Sequence, residues 1–170
     1  QLQRGDGLSW PTSTIWTSPW DLIDEGPEQA VQKIRDTGLE AVSLASAYHS
    51  FEMLRPHLPG DVLLRSPRSA VYFQPTPALP LNALVSPCMG GDDWWRRCAD
   101  AIQAADLGLI AWTVFLHNTE VALNHPECAQ VHATGDVSTS QLCPANARVR
   151  DYAVAIATNL ARYGISVLEC

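Results

Sequence analysis

A chain of 170 residues, 46% hydrophobic and 17% charged, is long enough for one packed domain and is neither disordered nor of low complexity. Eighteen acidic residues against eleven basic ones leave a formal charge of -7, which provides no electrostatic footprint for nucleic acid or for an anionic membrane. No run approaches the roughly 20 apolar residues that span a bilayer, so no membrane segment is expected.

In chain order, the run Thr14-Ile15-Trp16-Thr17 reads as a first strand over about 13–18. Trp20 and Asp21 follow it and read as a loop. A helix begins at Pro27, places Ala30, Val31 and Ile34 on one side, and stops at Gly38. It leads into a second apolar strand over 41–47, with Tyr48 and His49 just past its end. Residues 51–90 are rich in Pro and Arg and read as a long irregular insertion, with one strand candidate at Ala70-Val71-Tyr72-Phe73. A second helix opens on Asp92 and Asp93, turns Trp95, Cys98, Ile102 and Ala105 to one face, and ends near Gly108. The third strand is expected over 109–116, ahead of His117 and Asn118, and an irregular segment runs from Asn118 to Cys143. A third helix carries Val149, Tyr152, Ile156 and Leu160 and reaches Gly164, and the fourth strand, over 165–169, ends on Glu169.

Nearly continuous apolar strands that alternate with helices are buried on both faces, which is the grammar of a parallel sheet. Neither G-x-G-x-x-G nor G-x-x-x-x-G-K-[ST] occurs, and the sole lysine is Lys33, so a dinucleotide or phosphate-loop fold is disfavoured. The expectation is an α/β chain made of the first four βα units of a TIM-type (β/α)8 barrel, its strands ordered 1-2-3-4. Residues 1–170 are then a single incomplete barrel domain whose partner is the missing C-terminal half. The start at Gln1 and the end on an apolar strand fit a fragment of that kind. The five cysteines are odd in number, widely spaced and never in a CxxC pair, which reads as reduced thiols in a cytoplasmic protein with no disulfide framework.

Such a barrel gathers its active site from strand C-terminal ends. The polar and aromatic residues at those ends are Trp20, Asp21, His49, His117, Asn118 and Glu169, with Trp112 inside the third run. Glu169 is the catalytic candidate. A carboxylate that ends an apolar strand is costly to bury among helices and should face the mouth. Trp16, Trp20 and Trp112 offer flat indoles for a sugar ring, Trp20 being preferred for its loop position. His49, His117 and Asn118 would hold hydroxyls. Arg96 and Arg97 read as a solvated face, and Cys170 as packing.

The stretch His125-Pro126-Glu127, then Gly135-Asp136, then Leu142-Cys143-Pro144-Ala145-Asn146-Ala147-Arg148-Val149-Arg150-Asp151-Tyr152 resembles barrel proteins of the glycoside-hydrolase-like class. In that class a His-Pro-Glu/Asp-Trp turn leads to a glycine, and a Leu-x-Pro-x-Asn-Pro-x-Val-Arg-x-Tyr segment opens a helix. An aromatic helix end and a strand closing on an acid follow, places filled here by Arg162-Tyr163-Gly164 and Glu169. Cys128 stands where the class has Trp, and Ala147 where it has the second Pro. The resemblance covers about 109–170 and implies a (β/α)8 barrel acting on a carbohydrate substrate with no cofactor.

Glycoside hydrolysis usually employs two carboxyl groups. Asp21 and Asp136 are weaker candidates for the second, which is expected beyond residue 170, so the fragment by itself should be inactive. Two other readings stay open. One is a metal-dependent sugar isomerase or hydrolase with His49, His117 and Glu169 around a divalent ion, although no H-x-H or H-E-x-x-H motif supports a metal. The other is a carbohydrate-binding barrel without catalysis.

Overall fold

The computed structural model describes residues 11–60 and 63–170. The chain runs through β1 (Thr14–Thr17), α1 (Pro19–Glu25), α2 (Pro27–Asp36), β2 (Ala41–Tyr48), β3 (Phe51–Leu54), β4 (Leu63–Ser66), β5 (Ala70–Val71), α3 (Trp94–Ala104), β6 (Gly108–Thr113), α4 (Thr119–Asn124), β7 (Ala129–Val131), β8 (Val137–Leu142), α5 (Ala147–Ala161) and β9 (Val167–Glu169). The central sheet is α/β in character: β1, β2, β6 and β9 lie side by side in that order and every neighbouring pair is parallel. These four strands are the four apolar runs of the sequence.

Register assigns the faces. Trp16 pairs Ser43, Ser43 pairs Ile110, Ile110 pairs Val167, and Trp112 pairs Glu169. Residues paired across parallel strands share a face, and alternation along each strand sends the neighbours to the other face. Val42, Leu44, Leu109 and Ala111 therefore point together into the hydrophobic core. There they join Val31 of α2, Cys98 and Ile102 of α3, and Ile156 and Leu160 of α5, all with no measurable exposure. Burying each aliphatic side chain contributes about 1.5–3 kcal/mol, so this one-sided helical layer supplies much of what holds the sheet. Trp16, Ser43, Ala45, Ile110, Trp112 and Glu169 occupy the face away from it. Among the described residues, each outer strand, β1 and β9, pairs with one neighbour.

Gly108 makes room for a close approach of β6 to β2 where β6 enters the sheet. A Cβ there would come within 3.1 Å of the Ala41 Cβ, while the Gly108 N–H donates to the Glu40 carbonyl at 2.9 Å. Further along, a register shift between Ala45 and Ala47 breaks the β2–β6 ladder. The freed Ala45 carbonyl accepts from the buried Trp95 indole N–H at 3.0 Å, which ties α3 to the C-terminal half of β2.

Three expectations are corrected. The segment after β1 is a helix, not a loop: Ser18 is its N-cap, Pro19 takes the first position, and the Asp21 carboxylate accepts the Ser18 N–H at 3.3 Å. The strand expected over 109–116 ends at Thr113, after which His117 forms an isolated antiparallel bridge to Gln141. The excursions at 51–90 and 118–143 are also more ordered than their composition implies. The first contains the β3–β4 hairpin and β5, which pairs antiparallel with the end of β2. The second contains α4 and the β7–β8 hairpin. No helix among the described residues is long and apolar enough to cross a membrane, and the five cysteines are free thiols.

Candidate functional site

The helix-free face of the sheet gathers polar and aromatic side chains toward the strand C-terminal ends. Glu169, half-buried at the end of β9, accepts two hydrogen bonds on a single oxygen: the Trp16 indole N–H donates to Oε2 at 3.1 Å and the Ser43 hydroxyl donates to the same atom at 2.5 Å. One carboxylate thus joins β1, β2 and β9. Among the described residues no hydrogen-bond donor reaches Oε1.

Aromatic rings extend from this carboxylate across the sheet. Trp16 stacks on Trp112 with centroids 5.8 Å apart and planes at 20°, and Tyr48 meets Trp112 edge-on at 5.1 Å. Tyr48 lies 4.1 Å from His49, which stacks on His117 at 4.8 Å. Rings at these separations are in favourable contact. Trp16 is 63% exposed, so its outer face is open to a ligand. Burial pushes the His117 pKa below its ordinary value, and the neighbouring His49 lowers it further. The His49 Nδ1 is 2.7 Å from the Ser50 carbonyl, a contact that fixes the ring.

Of the residues singled out from sequence, this arc contains Glu169, Trp112, His49 and His117. Trp20, Asn118 and Asp21 serve elsewhere. Because α1 is a helix, Trp20 turns inward: it is 1% exposed, stacked on Phe51 at 4.8 Å and edge-on to Tyr72 at 5.1 Å, so it is core and not a sugar platform. Asn118 is the N-cap of α4. Its side-chain oxygen accepts from the Val121 N–H at 3.0 Å and its amide donates to the Tyr152 hydroxyl at 3.0 Å, so a buried cap replaces the expected hydroxyl-binding role. Asp21 caps α1, and burial raises its pKa above the ordinary value despite the Ser18 N–H.

Sequence reasoning missed Ser43, offered Trp16 as one of three indoles while preferring Trp20, and noted Tyr48 at a strand end without giving it a role. Alternation carried the signal for the first two: counting back from Glu169 and across the strands leaves Trp16 and Ser43 on one face, provided that the pairing register is known. The His125-Pro126-Glu127 stretch is a brace. Glu127 receives Arg148 at 2.5 Å and its carbonyl accepts from Asn146, the N-cap of α5, at 2.9 Å.

Among the described residues, no group of three or more His, Cys, Asp or Glu side chains is placed to hold a metal ion. A cavity of about 200 Å³ lies in the helical layer, lined by Gln74, Thr76, Asp93, Arg96, Asn159, Arg162 and Tyr163. These groups largely satisfy one another. The Tyr163 hydroxyl donates to Asp93 at 2.8 Å, the Asn159 side-chain oxygen accepts the Thr76 N–H at 2.7 Å, and the Arg96 guanidinium lies 4.1 Å from the centre of the Tyr163 ring.

No family model matches the chain, and no curated protein matches it by sequence. Among solved structures it is similar to a hypothetical protein from Ruminiclostridium thermocellum ATCC 27405, at 13% identity and a TM-score of 0.62, over 91% of this chain and 73% of that one. It is also similar to an alpha-amylase from Lactobacillus plantarum, at 15% identity and a TM-score of 0.51, over 82% of this chain and 32% of that one. At such identities the likeness is one of fold. The chain spans about a third of the length of the amylase.

Proposed function

We propose that these residues form the first four βα units of a (β/α)8 barrel that binds a carbohydrate and hydrolyses a glycosidic bond, with Glu169 in contact with the reacting oxygen. The observation that carries this reading is the Glu169 carboxylate at the strand ends, held on Oε2 by Trp16 and Ser43 beside an exposed indole face. Indole faces take the apolar side of a pyranose ring, and a carboxyl group at the ring's edge is what glycoside hydrolysis requires. The fold likeness to an alpha-amylase agrees with it. His49 and His117 lie along the same aromatic arc, where further sugar units would meet hydrogen-bonding edges. The second carboxyl group is assigned to the half of the barrel that follows β9.

The test is hydrolysis of a panel of oligosaccharides by the full-length protein and its Glu169→Gln variant. The expected result is a kcat lowered by about 10²–10⁴-fold with the fold retained. Full turnover by the variant would remove Glu169 from the mechanism.

A binding barrel without catalysis is the second reading. It is favoured by the two internal donors already on Glu169 and by the place of the other acids: Asp21 caps α1, and Asp136 sits in the β7–β8 turn bonded to Thr134. Oligosaccharide binding without turnover by the wild-type protein would establish it.

A further inference from the structure

The charge around the aromatic site is one-sided. Eleven lysine and arginine residues are available, of which Arg4 lies outside the described residues. All of the other ten are engaged away from Glu169. Lys33, Arg55, Arg65, Arg68, Arg96, Arg97 and Arg148 pair with Glu25, Asp24, Glu52, Glu120, Asp100, Asp92 and Glu127 respectively. Arg35, Arg150 and Arg162 donate to the backbone carbonyls of Ala105, of Pro144 and Ala145, and of Thr76. Glu169 is thus a half-buried carboxylate whose described partners are neutral donors, the Trp16 indole and the Ser43 hydroxyl.

Around it stand the Trp16, Trp112 and Tyr48 rings, whose faces attract cations through their quadrupoles, indole most strongly. His49 and His117 stand at the far end of the arc, and burial shifts His117 toward its neutral form. A carboxylate with no cationic partner among the described residues, set in aromatic faces on a chain of net charge -7, complements an ammonium group.

Resting on the carbohydrate reading above, we infer that the ligand is a cationic sugar: a protonated amino sugar whose ring stacks on Trp16 and whose ammonium group pairs with Glu169. A sugar acid would be repelled by the same carboxylate, and a neutral sugar would gain the stacking without the charge pairing. Selectivity for the amine then belongs to Glu169, and affinity for the ring belongs to Trp16.

Calorimetric titration of the full-length protein with a glucosamine tetramer, an N-acetylglucosamine tetramer and cellotetraose tests this. The glucosamine tetramer should bind about tenfold more tightly than either neutral oligosaccharide at low salt and pH 6, a gap that narrows as salt is raised. In the wild-type protein the gap should also close as pH rises and the amine loses its proton, an arm that needs no variant. Glu169→Gln should abolish the preference while retaining binding, and Trp16→Ala should weaken all three sugars alike. Equal affinity for charged and neutral sugars, or a preference that survives Glu169→Gln, overturns the cationic-sugar inference and leaves the carbohydrate reading standing. Failure of all three to bind overturns both.

Discussion

Tyr152 shows how a single residue sets part of the stability of this protein. Its ring is buried on α5 and its hydroxyl receives the Asn118 amide, so α4 and α5 meet at a phenol with no route to water. Burial raises its pKa from 10.0 to about 12, and the hydrogen bond from Asn118 offsets little of that rise. A raised folded-state value means that the unfolded chain loses its proton first. The stabilising difference is therefore complete below pH 10 and disappears as pH climbs toward 12. Tyr72 and Cys98 are likewise pushed up to about 12 by burial, so all three titrate against the fold in the alkaline range. Denaturant unfolding at intervals from pH 9 to 12 should show a progressive loss of stability. Tyr152→Phe should remove its own share, ~2–3 kcal/mol. An unchanged alkaline profile in that variant would mean that the phenol is not enclosed as described.

The short helix α1 decides which tryptophan packs and which meets solvent. Helical geometry turns Trp20 against Phe51 and Tyr72, while Trp16, four residues earlier on a strand, faces the open side of the sheet. Two indoles close in sequence therefore have opposite consequences. Trp20→Ala should cost about 3–5 kcal/mol in unfolding free energy, from lost burial and a cavity that its neighbours fill only in part. The ligand affinity of the molecules that remain folded should be unchanged. Trp16→Ala should have the reverse profile, since a side chain 63% exposed contributes little to the core. Thermal midpoints and ligand titration on the same two variants separate these outcomes, and a Trp20→Ala protein of normal stability would contradict the assignment of α1.

At the scale of the whole molecule, the sheet has helices on one face and rings with a carboxylate on the other. In the described residues β1 and β9 each offer one unpaired edge, and Ile15, on the helix side of β1, is 39% exposed. An edge of unpaired backbone groups beside exposed apolar side chains is a template for further strands. If the proposed barrel is correct, the 170-residue chain alone should associate through these edges, with a sedimentation coefficient that rises with concentration. Adding the residues that complete a barrel should abolish that association. A strictly monomeric chain at high concentration, with native circular dichroism, would count against closure into a barrel.

Much of the α/β architecture was legible in the sequence, because apolar runs of four to eight residues alternating with amphipathic segments leave a parallel sheet with a helical cover as the simplest way to bury both faces. The strand that ends on Glu169 was legible for the same reason, since an acid closing an apolar run belongs at a sheet's end. The hairpins of the long excursions were hidden, because their residues are half-exposed and leave a weaker periodic signal. Membership of the site was also decided by tertiary structure. Register determined that Trp16 and Ser43 would meet Glu169 across 153 and 126 residues of chain. The Ser18 to Asp21 capping box sent Trp20 into the core, and capping of α4 engaged Asn118. Local pattern fixes which residues share an element, whereas which elements lie side by side, and in what register, is set by packing between segments far apart in the chain.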